Sequence, residues 1–174
     1  MKLIDDHDHA VEVLTAYTER LEGYFDHRGD DPSPDRFTAD DLMAAYLHGG
    51  RGFTRQVVAD LLYSQTYADL LAAVGEDSHL FKAKKKQVNA ALELFDALQE
   101  LPGVGPATAA KLVARKRPKL FPVGVAGADE VWALREDLAA DSDQVSAMKK
   151  ARKDAGLPKS VTPLRVVEIL NSRA

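Results

Sequence analysis

Apolar residues recur three and four positions apart through most of the chain, the spacing that lines one face of an α-helix. Val11, Leu14, Tyr17 and Leu21 mark a first helix, and a polar loop rich in Pro and Asp follows over residues 27–36. Thr38-Ala39-Asp40-Asp41 places a hydroxyl, then a carboxylate three positions on, ahead of an apolar run. That is the signature of a helix start. The helix runs through Leu42, Ala45 and Tyr46 and ends at His48-Gly49-Gly50-Arg51-Gly52. The period continues over 53–63, 66–74, 87–100, 107–115 and 129–139, with Asp129 suited to capping the last of these. Asp141 or Ser142 caps a helix reaching about residue 154, and Thr162-Pro163 opens the final one. No stretch alternates at the strand period and no segment repeats. The pattern predicts an all-α protein of eight or nine short helices.

Length and composition narrow this further. A chain of 174 residues with 45% hydrophobic content can bury one sizeable core, so a single domain over 1–174 is expected, with residues 1–9 as a flexible tail. The absence of cysteine excludes disulfides, thiolate metal sites and cysteine nucleophiles. No apolar run approaches the ~18 residues of a membrane span. The acidic N-terminus does not resemble a signal peptide. A cytoplasmic protein is the expectation.

One segment carries more than fold. Leu92, Phe95, Leu98 and Leu101 run at helical spacing into Pro102-Gly103-Val104-Gly105-Pro106, after which Ala109, Ala110, Leu112 and Val113 give a second helix a small, apolar face. Glycines at 103 and 105 permit a tight turn and a close approach by another backbone. The amides that open the second helix then point outward at the positive end of its dipole, a receptor for phosphate. Two core helices joined by a Gly-Pro turn, with no ligand, is the bland alternative.

Charge favours the phosphate. The chain is at −4 overall, but residues 1–81 carry 6 basic and 16 acidic side chains, a net of −10. Residues 82–119 carry 9 basic and 3 acidic, a net of +6, and residues 120–174 carry 8 of each. The basic set is Lys82, Lys84, Lys85, Lys86, Lys111, Arg115, Lys116, Arg117 and Lys119. A local basic footprint on the turn-bearing segment is what phosphate contact needs. Lys84 to Lys86 alone read equally as a solvated helix start.

Residues 94–115 resemble the helix-hairpin-helix motif, by which many proteins hold a DNA backbone without reading its sequence. That array, a following basic turn and Phe121-Pro122-Val123 together resemble the DNA glycosylase superfamily. Thr38-Ala39-Asp40-Asp41-Leu42, Lys111-Leu112-Val113-Ala114-Arg115-Lys116-Arg117-Pro118 and Ala155-Gly156-Leu157-Pro158 are similar to blocks in small uncharacterised bacterial proteins of that fold. The resemblance implies DNA-backbone contacts from Gly103, Val104, Gly105, Ala107, Thr108, Lys111, Arg115 and Lys116. It implies no established reaction. Where glycosylases with lyase activity carry a lysine, two residues past the second hairpin glycine, this chain has Ala107. The aspartate that such enzymes place directly after Pro-Val is replaced by Gly124, and the first carboxylates are Asp129 and Glu130. Asp129 is the weak catalytic candidate, and a helix-capping role competes with it.

Other features are weaker. Asp5-Asp6-His7-Asp8-His9 has metal-binding side chains but reads as a solvated tail, and no metal is expected. His48-Gly49-Gly50-Arg51-Gly52 suits either a pocket wall or a plain helix end. Trp132 and Phe121 could stack on a base or simply fill the core, and Tyr63 and Tyr67 could wall a pocket. Three readings follow: a sequence-independent DNA-backbone binder without standard base excision, an enzyme processing a base or modified nucleotide through an unusual carboxylate such as Asp129, with Asp41 and Asp60 next in line, and a helical protein-interaction domain with an acidic N-terminal face. No cofactor is required, with a monovalent cation at the hairpin left open. A cleft is expected between the first helices and the 87–135 region, with Trp132 mostly buried beside it.

Overall fold

The computed structural model describes residues 4, 6–18, 24–26, 33–50 and 52–172. Among them are nine α-helices and no strand: α1 His7–Thr18, α2 Ala39–Leu47, α3 Arg55–Tyr63, α4 Gln65–Val74, α5 Lys85–Gln99, α6 Pro106–Lys116, α7 Ala128–Ala140, α8 Ser142–Asp154 and α9 Pro163–Asn171. The 3₁₀ turn Leu80–Lys82 leads into α5. No helix of the described residues is long and apolar enough to cross a membrane.

The caps are those the sequence dictates at most starts. Thr38 accepts from the Asp41 amide while the Asp41 side chain accepts from the Thr38 amide, a full capping box. Thr54, Ser64, Asp141 and Thr162 cap α3, α4, α8 and α9 through their side-chain oxygens. α7 departs from expectation. It starts one residue early, at Ala128, with Gly127 as N-cap, so Asp129 stands exposed in the first turn and does not cap it.

Of the expected flexible tail, residue 4 and residues 6–9 are among those described. Ile4 is buried and its amide donates to Gln144 Oε1 at 2.8 Å. The Asp6 carboxylate accepts from the amides of Asp8 (2.9 Å) and His9 (3.2 Å), which are capping bonds for α1. His7 Nε2 lies 3.0 Å from Asp154 Oδ2. The Ile4 amide and the His7 ring thus join this segment to α8. Residues 1–3 and 5 lie outside the described residues, as do Leu21 and Arg51.

α5 and α6 form the centre. α5 buries Leu92, Phe95 and Leu98 of the series read from the sequence, with Leu101 buried just beyond its end, and adds Val88, Ala91 and Leu94. α6 buries Ala109, Ala110, Leu112 and Val113 and packs on both α5 and α2. Alanines at 109 and 110 let the backbones come close. α1 packs on α8 and α9. The end of α2, the start of α6, the 123–126 loop and α9 therefore converge, and a cavity opens where they meet.

Candidate functional site

The α5–α6 connection is a tight helical hairpin. The Leu101 amide bonds back to Leu98, and the Val104 amide donates to the Leu101 carbonyl at 3.0 Å. Gly103 sits at φ +83°, the left-handed region that a side chain makes costly. Gly105 is the N-cap of α6 and offers no side-chain cap, and Pro106 has no N–H to satisfy. Among the described residues, the amides of Gly103, Gly105 and Ala107 have no backbone acceptor. All three residues are exposed, and a carbon added at either glycine would meet open space. Val104 and Thr108, also expected to contact backbone phosphate, are buried.

The basic footprint is smaller than its charge count. Arg115, Lys116 and Arg117 are each only 3% exposed and turn into the protein. Arg115 Nη2 reaches Asp40 Oδ2 at 2.6 Å and bonds the Phe25 carbonyl. Lys116 Nζ lies 2.6 Å from Asp41 Oδ2 and donates to the Ser33 carbonyl at 3.0 Å. Arg117 holds Asp35 Oδ1 at 2.6 Å together with the carbonyls of Gly75, Pro34 and Leu71. Arg115 and Lys116, expected to face DNA, are instead turned inward, their cations buried among carbonyls and carboxylates. Lys84, Lys85 and Lys86 are exposed, but at the far end of α5, about 22 Å from the turn at 1.5 Å per residue.

Lys111 alone of the basic residues predicted around the turn faces an opening. It lies one helical turn beyond Ala107, on the same face of α6. Together with Pro106 and Ala107 it lines a cavity of about 570 Å³. His48 from the end of α2, Tyr17 from α1, the 123–126 loop, and Arg165 and Glu168 from α9 complete the wall. A neighbouring cavity of about 430 Å³ shares Gly124, Val125, Glu168 and Ser172 with it.

The polar wall is built around Arg165. Its Nε lies 3.0 Å from Asp26 Oδ2, its Nη2 donates to the Tyr17 hydroxyl at 2.8 Å, and its Nη1 pairs with Glu168. Tyr17 in turn donates to Asp26 in a short bond. The guanidinium carbon stands 5.3 Å from the ring centres of both Tyr17 and Phe25, so the cation is held between two aromatic faces. His48 stacks on Phe25 at 4.8 Å and stands 3.5 Å from both Arg165 and Glu168.

These contacts set the ionisation. Burial alone would lower the pKa of Arg165, but Asp26 and Glu168 outweigh it and hold the guanidinium charged. Burial likewise opposes charge on Glu168, yet His48 and Arg165 outweigh it and keep the carboxyl below its ordinary value. Burial and the nearby Asp26 carboxylate push the Tyr17 hydroxyl up, so it stays protonated. Lys111 moves the other way. Burial lowers its pKa, Arg165 adds to this and Glu168 resists it.

The remaining sequence candidates lie elsewhere. Asp129 is not among the cavity-lining residues. Asp41 is used by the α2 cap and Lys116, and Asp60 accepts from Gln56. Trp132 is half-buried, packs on the core beneath Arg135 (5.6 Å), and does not reach the cavity, because α9 occupies the place expected of α7. Phe121 packs on Phe95 in the core, Tyr63 is exposed and Tyr67 packs on the core. No cluster of His, Asp or Glu among the described residues is placed to hold a metal. Sequence reasoning missed Tyr17 as a site residue, and missed Arg165 and Glu168 altogether. A signal for the last two existed: an Arg and a Glu three apart inside the apolar run from Val161 to Ile169.

A family model, described as a family of unknown function (DUF6308), matches residues 10–174. No curated protein and no solved structure matches the chain.

Proposed function

The chain belongs to that family of unknown function, and from its own geometry we propose that it binds the backbone of duplex DNA, without sequence preference, through the α5–α6 hairpin. The observation that carries this reading is the set of three exposed amides, Gly103, Gly105 and Ala107, that no protein acceptor among the described residues uses. They stand at the positive end of α6, and Lys111 follows one turn later. The resemblance of this segment to the helix-hairpin-helix motif supports the same reading. With Arg115, Lys116 and Arg117 engaged internally, the contact rests on one cation, Lys111, and neutralises about one phosphate. A slope near −0.9 per phosphate then gives roughly a three- to fourfold loss of affinity between 50 and 200 mM salt.

Gly105→Val is the discriminating variant. Gly105 has φ −91° and ψ 176°, values open to any residue, and free space at its Cβ. Valine therefore leaves the fold intact while occupying the place of the phosphate. Fluorescence anisotropy on a duplex should show binding by the wild type and at least a tenfold weaker Kd for the variant at 50 mM salt. Equal affinities would remove the hairpin as the contact.

A second reading, an enzyme acting on a base or modified nucleotide, is favoured by the cavity beside the hairpin. Its carboxylate would be Glu168, which lines the cavity, in place of Asp129, which does not.

A further inference from the structure

We propose that Lys111 is a nucleophilic amine that captures a small free aldehyde or ketone as an imine inside the cavity bounded by α1, α6 and α9. Lys116, five residues on, shows how this protein satisfies a buried ammonium, with a carboxylate at 2.6 Å and a carbonyl at 3.0 Å. Lys111 has neither an ion pair nor a hydrogen bond among the described residues. Its Nζ lies beside the α2 end, 3.9 Å from where a Gly49 side-chain carbon would stand. A half-buried cation with no partner in contact gives up its proton more readily than a solvated one, and here burial outweighs the opposing charge of Glu168 across the cavity. A neutral amine in a cavity with mostly apolar walls has the reactivity that carbonyl addition needs. The space, about 570 Å³, is that of a small-molecule site.

The step balances without an oxidant, reductant or metal. The Nζ lone pair attacks the carbonyl carbon, the C–N bond forms, and the carbonyl π pair moves to oxygen. A proton passes from nitrogen to that oxygen. Loss of the hydroxyl with a second proton, as water, leaves C=N. Amine and carbonyl thus give imine and water, and hydrolysis reverses the sequence. Glu168 lines the same cavity, with its carboxylate paired to Arg165 Nη1.

This inference shares Lys111 with the DNA reading but does not depend on it, and its test contains no nucleic acid. The full chain is incubated with propanal or pyruvate and sodium cyanoborohydride at pH 7, and labelled lysines are mapped by peptide mass. Lys111 should label at least tenfold faster than Lys84, Lys85 and Lys86, which are exposed and serve as internal standards. Its rate should level off at lower pH than theirs. Lys111→Met and Lys111→Arg should both lose the fast label while keeping the helical circular dichroism, and Lys85→Met should retain it. Labelling of Lys111 no faster than the surface lysines overturns the proposal. So does reaction only with an aldehyde carried on duplex DNA, since that would confine the chemistry to the nucleic acid.

Discussion

Arg115, Lys116 and Arg117 are three consecutive cations that meet three acidic partners from the segment before α3, namely Asp40, Asp41 and Asp35. Side chains at 115 and 117 leave a helix end in different directions, so a run of this kind can be buried whole only if partners wait on several sides. Removing one partner strands a charge in a low-dielectric site and costs about 3–5 kcal/mol. Asp41→Ala should therefore lower the unfolding free energy by that amount in urea titration. The Asp41→Leu/Lys116→Met double variant should lose less than the sum of the two single changes, because no charge is left unpaired. Lys111 predicts the opposite sign. Its folded pKa lies below the unfolded one, so the folded state carries a charging cost at neutral pH, where both states are protonated. That cost fades as pH rises through the folded value. Lys111→Met should raise Tm at pH 7, and the gain should shrink as pH approaches 10.5, the ordinary lysine value.

At the scale of the element, the helices were legible wherever local chemistry decides. The Thr38–Asp41 capping box, the Thr162-Pro163 start and the apolar series of α5 are all present as read. Thr38→Ala removes a cap used by a nine-residue helix and should cost about 1 kcal/mol, measured as a fall in the urea midpoint at unchanged slope. The start of α7 was not legible. Asp129 has the chemistry of a cap, but the turn at 124–127 already brings Gly127 into the extended conformation of the N-cap, and Glu130 turns back to accept the Ala126 amide at 3.1 Å. A backbone turn overrode a side-chain preference.

For the whole molecule, the charge asymmetry of the sequence resolves inward. Much of the +6 of residues 82–119 is the counter-charge of the acidic segment that packs on α6. Acid should expose this. Asp40 and Glu168 have folded pKa values below their ordinary ones. The shift at Asp40 comes first from its hydrogen bond with Tyr24, and then from Arg115. A lowered carboxylate stabilises the fold above its unfolded pKa, and that contribution is lost as pH falls through the folded one. Urea midpoints should hold between pH 5 and 8 and fall below about 4.5, the ordinary glutamate value. In Glu168→Gln the acid limb should be shallower; an unchanged limb would show that this carboxylate does not contribute.

The all-helical class, the places of the helices and the tight α5–α6 turn were decided by the sequence alone, because hydrophobic period, capping and glycine geometry act over a few neighbouring residues. Tertiary structure decided which charges face the solvent. Lys111 and Arg115 stand one turn apart on α6 and look alike in sequence, yet one lines a cavity and the other is sealed against Asp40. It also decided the composition of the candidate site, in which Tyr17, His48, Lys111, Arg165 and Glu168 meet from four helices or helix ends. Burial and the nearest charge set what an ionisable group does, and both come from residues as far apart as Asp26 and Arg165. No local spacing encodes such a pairing, so the chemistry of the cavity became visible only when the helices were packed.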